Sequence, residues 1–489
     1  MLKDIKNTVR QSAVYGLSRI SSKLIAFILL PLLTLNFTVS EYGIYVLTES
    51  LWQILWAVFL FGFESGVVRW YMEIEDTVKR KRFLFSVLLF LLVFNFALIL
   101  IIYLFSPYLS TIVYDNAGYS KFIVYASLIA LVETISFVAF LLLRIEEKAK
   151  LYSILAVSIS IISLLLQVYF LQYTSIKLEG IFVSKIIAPL LIIIVLIPYI
   201  LRHVKIGLES ALLKELLVYS APIMFASLVI TLLNQADRYI LGNLTNLKDV
   251  GIYGLSYNIS GLINFLVVSP FSLAFTVISW KKLKDANAKR FYTKQITYLF
   301  LAVIYISMII ALFTPHLIKI VTMKTDYWVA AEYVPWVILA MPFYGIHFVG
   351  VFSFYVTKKT KYVFYSYLSA LVVNIVLNFI FIPHFGIYAA CFVNLFSFFV
   401  LCLVIYLFSK RNYFFPYEWM KIFTMILLYF LLVAPFFLLN FENRIIEIAL
   451  KFAAVGLYPV LLYIFRFFEP IEVTSIKGFF RKYLKLGKK

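Results

Sequence analysis

Five basic side chains sit inside long apolar runs of this sequence: Arg19, Lys23, Arg69, Lys185 and Arg238. A charge within a membrane-crossing helix costs about 2.5–3.5 kcal/mol on insertion scales, so it faces a cavity or a partner. Arg19 and Lys23 are four apart and share a helical face with Ser12, Gly16 and Ala26. Counted from residue 12, they lie about 10 Å and about 16 Å along the run. Two like charges one turn apart repel, and an anion between them, or a pairing with Glu49 or Glu133, relieves that. Lys185 lies about 10 Å from the nearer end of its run, within reach of the interface by snorkelling. Arg238 follows Asn234 by one turn, while its neighbour Asp237 points elsewhere. A salt bridge closing two halves of the molecule and a ligand contact both suit Arg238. The candidate anion-binding set is therefore Arg19, Lys23, Lys185 and Arg238, with Arg69 read as interfacial.

The acidic groups are fewer. Glu133 lies about 20 Å deep in its run, and Glu49 about 9 Å, with Gln53 on the same face. Glu49, Glu133 and Asp237 are the candidates for ion coupling or for salt bridges; the bridge is the reading for Glu49, and Glu133 stays open between the two. Asn374 and Asn378, and Asn258 and Asn264, suit helix–helix hydrogen bonds. His347 is read as structural. Some of the 35 Tyr and 49 Phe can stack on sugars, but the sequence does not say which. Cys391 and Cys402 are about 16 Å apart along one helix, too far to bridge. No metal-ligand spacing, paired-carboxylate motif or nucleotide-binding glycine loop is present, so neither a cofactor nor an enzymatic activity is expected.

The elements that hold these groups follow from composition. Of the 489 residues, 63% are hydrophobic and 14% charged, against roughly 25% charged in a soluble domain, and the mean hydropathy is +0.97. A soluble enzyme, a nucleic-acid-binding domain and a disulfide scaffold are excluded. The pattern predicts fourteen spans: 12–35, 44–70, 83–106, 120–143, 151–173, 178–201, 215–241, 251–279, 291–314, 329–355, 363–382, 386–409, 419–439 and 445–465. The longest connections on one side, around 107–119 and 315–328, are expected to be loops. Of the 44 Lys and Arg, 32 fall at the termini and in the connections after even-numbered spans, and seven in the others. Basic residues collect on the cytoplasmic side, so both termini are expected there, and the net charge of +20 belongs to a membrane protein without a nucleic-acid partner. Arg19 and Lys23, with no small-residue cleavage site after them, argue against a cleaved leader.

The chain also repeats itself. Glu41-Tyr42-Gly43-Ile44-Tyr45 and Asp249-Val250-Gly251-Ile252-Tyr253 are 208 residues apart, and Gly180-Ile181-Phe182 and Gly386-Ile387-Tyr388 are 206 apart. Two halves of six spans with the same topology are expected, 1–210 and 211–412, with an axis along the membrane normal and a central site between them. Spans 13 and 14 (413–466) sit outside them, and 467–489 form a basic cytoplasmic tail.

Five segments carry a family resemblance: Tyr15-Gly16-Leu17-Ser18-Arg19, Leu30-Pro31-Leu32-Leu33-Thr34, Glu41-Tyr42-Gly43-Ile44-Tyr45, Asn234-Gln235-Ala236-Asp237-Arg238-Tyr239-Ile240-Leu241-Gly242 and Val250-Gly251-Ile252-Tyr253. On them the sequence resembles the polysaccharide transporters, the Wzx-type oligosaccharide flippases of the MATE-like superfamily. The resemblance implies an all-α integral membrane protein with fourteen helices, in two six-helix lobes around a central cavity. It implies a flippase of the bacterial cytoplasmic membrane that moves an undecaprenyl-diphosphate-linked oligosaccharide, a unit of O-antigen, capsule or exopolysaccharide, to the outer leaflet by alternating access. The implied partners are that lipid, the bilayer and polysaccharide polymerase machinery. The segment Asn36-Phe37-Thr38-Val39-Ser40 departs from the Leu-Ser-Pro-like turn expected there. A lipid II flippase and a multidrug or cation antiporter of the same superfamily are the alternatives; the basic interior disfavours the antiporter.

Overall fold

The computed structural model describes residues 27–439, 441 and 443–470, and among them there is no strand. The helices are α1 (Phe27–Asn36), α2 (Val39–Phe59), α3 (Phe63–Glu73), α4 (Thr77–Leu104), α5 (Ser106–Tyr114), α6 (Ser120–Ile145), α7 (Ala149–Tyr173), α8 (Lys177–His203), α9 (Ser210–Leu244) and α10 (Leu247–Ser260). They continue with α11 (Ser269–Lys282), α12 (Ala288–Val321), α13 (Ala330–Val337), α14 (Ala340–Gly350), α15 (Phe352–Val356), α16 (Lys361–Ser409), α17 (Trp419–Val433), α18 (Pro435–Leu438) and α19 (Arg444–Ile464). Among the described residues, eleven helices are long and apolar enough to cross a bilayer, or twelve with the pair Thr325–Val337 and Ala340–Val356, bent by 43°. The chain is a multi-pass integral membrane protein.

The breaks have local causes. α2 gives way to α3 at Phe61 (φ 52°) and Gly62 (φ 67°), both left-handed. A single π-helical turn, Asn264–Val268, separates α10 from α11. α16 has 49 residues, about 74 Å of helix, more than twice a hydrocarbon core. It breaks at Gly386 (φ 52°, ψ −129°), three residues after Pro383, so the chain turns there between the expected spans 363–382 and 386–409.

Two expected loops are helical. The segment 107–119 begins with most of α5, which Pro107 helps to start by occupying its first turn, where a missing N–H costs nothing. The segment 315–328 begins inside α12, which continues through Pro315 to Val321. Neighbouring helices make such prolines tolerable in membranes.

The repeat is visible in the caps. Thr38 caps α2 by accepting from the Glu41 N–H, and Glu41 answers with a bond from the Thr38 N–H. Asn246 caps α10 by accepting from the Asp249 N–H, again 208 residues on. α2 and α10 then pack together, as do α9 and α16. At the same end, Lys324 Nζ donates to the Phe37 carbonyl at 2.8 Å, and the Tyr327 hydroxyl donates to that of Thr38 at 3.0 Å. These bonds tie the segment that follows α12 to the corner between α1 and α2. α17 and α19 pack against α12 and each other, tied by Lys294 to Glu418 (3.0 Å) and Glu469 (2.6 Å).

Candidate functional site

A polar network crosses the molecule where α2 meets α9 and α10. It begins on α8 with Lys185, whose Nζ lies 2.5 Å from Glu49 Oε1 on α2. Both side chains are largely buried, at 23% and 17% exposure. One turn along α2, Gln53 donates to the Glu49 carbonyl at 3.3 Å and accepts from Gln235 Nε2 at 2.8 Å. Gln235 Oε1 takes bonds from Ser50 (3.0 Å) and from Arg238 Nη1. Arg238 also donates to the Asn234 carbonyl at 2.9 Å, and its guanidinium lies 4.3 Å from the centre of the Tyr257 ring.

Arg238 is 5% exposed, and no ion pair involving it occurs among the described residues. Neutral dipoles and an aromatic face hold its charge. Of the two readings open for Arg238, a salt bridge is not found among the described residues, and its link to α2 runs through Gln235. Asp237, fully buried, turns the other way, accepting from the Tyr253 hydroxyl (2.5 Å), Asn394 Nδ2 (3.2 Å) and the Arg238 N–H (2.9 Å).

The other candidates divide. Arg19 and Lys23 lie outside the described residues. Glu133 is half-buried in the middle of α6. Glu49 forms a bridge with Lys185; the pairing with Arg19 or Lys23 expected from sequence falls on residues outside those described. Arg69 is exposed and pairs with Glu73 at 2.9 Å. Asn258 Nδ2 bonds to the Tyr42 hydroxyl of the other half at 3.0 Å, a helix–helix bond as expected. Asn374 and Asn378 instead bond to each other on one helix at 3.0 Å. His347 is buried with Nδ1 against the Tyr344 carbonyl. Sequence reasoning missed Tyr257 and Asn394, ordinary polar residues in apolar runs, and gave Gln235 no role of its own.

A second feature is a groove of about 440 Å³ between α12, α14, α16 and α17, lined entirely by apolar side chains including Phe300, Phe343, Phe396, Phe399, Ile426 and Phe430. Among the described residues no cluster of His, Cys, Asp or Glu could hold a metal ion, and the Cys391 and Cys402 thiols are free and buried.

The fold has known counterparts. By fold the chain is similar to a lipid II flippase MurJ in an inward closed conformation, with a TM-score of 0.74 and 16% identity over 94% of this chain and 100% of that one. It is similar to an inward-facing multidrug resistance MATE family transporter of the MOP superfamily (TM-score 0.61, 15% identity, 83% and 95% covered). A MOP superfamily transporter from Pyrococcus furiosus, described as having a binding pocket of reversed polarity, aligns at TM-score 0.56 and 16% identity, with 86% and 96% covered. No curated protein matches by sequence. The MatE family profile matches residues 222–380. The profile described as Polysaccharide biosynthesis protein matches residues 8–280, more than half of the 489, and the chain belongs to that family.

Proposed function

We propose that this protein is a flippase that carries an undecaprenyl-diphosphate-linked oligosaccharide, a unit of O-antigen, capsule or exopolysaccharide, from the cytoplasmic to the outer leaflet by alternating access. The observation that carries this reading is Arg238, a buried arginine between α9 and α2 whose guanidinium makes no salt bridge among the described residues. An anionic diphosphate can pair directly with the guanidinium, and burial strengthens that attraction. Arg19 and Lys23 are proposed to complete the diphosphate site, one turn apart on the first span. The apolar groove beside α17 suits a polyprenyl chain, because its lining side chains carry no polar group to satisfy.

The architecture proposed with this function has fourteen spans: the twelve segments above, α16 divided at Gly386, and a first span that ends in α1. Both termini are placed in the cytoplasm by the positive-inside rule, with the lobes ending near residues 210 and 412. The bonds from Lys324 and Tyr327 to the α1–α2 corner then close the outer side. Polymerase machinery in the outer leaflet is the proposed consumer of the product.

Lipid II transport is the second reading, favoured by the fold shared with the lipid II flippase. Proteoliposomes loaded in the inner leaflet with a labelled undecaprenyl-diphosphate-linked oligosaccharide, lipid II or a cationic dye separate the readings. The oligosaccharide lipid is expected to become accessible outside, and Arg238→Ala to abolish this while the protein still inserts. Preferential movement of lipid II or of the dye overturns the assignment.

A further inference from the structure

Trp52 and Trp56 lie one turn apart on α2, and among the described residues neither indole N–H has an acceptor although both Nε1 atoms are buried. A buried indole N–H usually finds a partner; Trp70, on α3, gives its own to Glu215 at 3.4 Å. At 3.6 residues per turn, Tyr45, Glu49, Trp52 and Trp56 fall in one stripe about 16 Å long. All four are half-buried, whereas Leu47 on the opposite face of α2 is fully buried. Lys185 reaches the stripe from α8. Its Nζ lies 5.7 Å from the Tyr45 ring centre and 5.5 Å from that of Trp52, while holding Glu49.

We propose that this stripe is a carbohydrate subsite: a neutral sugar ring stacks on Trp52 and Trp56, its oxygens accept from the two indole N–H groups, and its hydroxyls meet the Glu49–Lys185 pair. The inference rests on the flippase reading and names where the sugar of that substrate is held. The charges decide the ligand class. Glu49 and Lys185 cancel, so the stripe has no net charge among the described residues. A phosphate brought here meets the Glu49 carboxylate, and a cationic drug finds Lys185 already over the aromatic rings. Either ion loses its hydration without a free counter-charge, which is costly. A sugar brings an apolar C–H face for the indoles, acceptors for their unpaired N–H groups, and hydroxyls that both donate and accept. The anion site at Arg238 and the sugar stripe are joined through Gln53 and Gln235, as a ligand with a diphosphate beside its first sugar requires.

The test is binding by the full chain in nanodiscs, with two probes: undecaprenyl diphosphate bearing a neutral trisaccharide, and bare undecaprenyl diphosphate. Trp52→Ala and Trp56→Ala are expected to weaken the glycosylated lipid about tenfold and the bare lipid less than about twofold. Trp56→Phe, which keeps the stacking surface and loses the N–H, should fall between. Melting temperatures check folding, and a Trp52→Phe/Trp56→Phe double variant replaces any alanine variant that does not fold. Equal losses for both lipids, or unchanged glycolipid binding by a folded variant, overturn the subsite alone. A wild-type protein that does not prefer the glycosylated lipid overturns the flippase reading itself.

Discussion

Gly43 and Gly251, equivalent positions in the two repeats, face each other where α2 and α10 cross. A Cβ built on Gly43 would lie 3.3 Å from the Gly251 nitrogen and overlap the Leu247 carbonyl. One built on Gly251 would lie 3.2 Å from the Gly43 nitrogen and overlap the Val39 carbonyl. Val39 and Leu247 are themselves 208 residues apart, so the contact is reciprocal. Glycine is needed at both positions for backbone approach.

Gly43→Ala and Gly251→Ala should therefore each destabilise the protein by about 1–3 kcal/mol, the range for overpacking. Gly242→Ala, whose Cβ would meet side-chain methyls alone, of Val250 at 3.2 Å and Leu47 at 3.7 Å, should cost less, because a side chain yields more easily than a carbonyl. Thermal unfolding in detergent measures all three. Equal melting temperatures for Gly43→Ala and the wild type would show that the crossing is looser than described.

The ion pair of Lys185 with Glu49 makes a second prediction. Each charge is held largely out of solvent by the other, so removing one partner strands its mate. Glu49→Gln and Lys185→Gln should each destabilise by up to about 3 kcal/mol. The exchanged variant, Glu49→Lys with Lys185→Glu, should recover most of that loss in the same melting assay. If the exchange recovers nothing, the pair matters for something other than mutual neutralisation.

These two relationships were unequally legible in the sequence. The glycine repeat could be read because both segments keep their spacing and their caps, which are local properties. Charge alternation between connections likewise marked the spans, since insertion chemistry acts on each loop separately. The partner of Glu49 could not be read: depth along a helix says that a charge needs company, but Lys185 is 136 residues away and its approach depends on how α8 leans on α2. The same reason hid Tyr257 beneath Arg238. For α5 and the end of α12, loop expectations failed because Pro107 starts one helix and Pro315 is carried inside another.

The Glu146 carboxyl, just beyond α6, supplies a pH prediction. Burial pushes its pKa up, but bonds from Lys148, the Tyr199 hydroxyl and His203 outweigh this and hold it at about 2, below the usual 4.5. The folded protein thus binds this proton more weakly than the unfolded chain. The stabilisation is complete above pH 4.5 and is lost as the pH falls towards 2. Glu146→Gln should be less stable than wild type at neutral pH by on the order of 1 kcal/mol, since the site is partly solvated. The two melting curves should converge through the acid range. A constant difference across that range would assign the effect to lost packing instead.

The driving force is the last prediction. A diphosphate carries about two negative charges, and each gains about 2.3 kcal/mol per 100 mV when it moves outward across an inside-negative membrane. Part of that gain is lost if Arg238 and the cationic groups of span 1 move with the substrate, because their charges travel the same way through the field. The remainder still favours export without a dedicated ion carrier. The competing mechanism is ion antiport through Glu133, the acidic residue near the middle of α6. Flipping in proteoliposomes should therefore accelerate under an imposed inside-negative potassium-diffusion potential, and Glu133→Gln should keep that response. If flipping ignores the potential, follows a proton or sodium gradient and stops in Glu133→Gln, antiport drives the cycle and the potential does not.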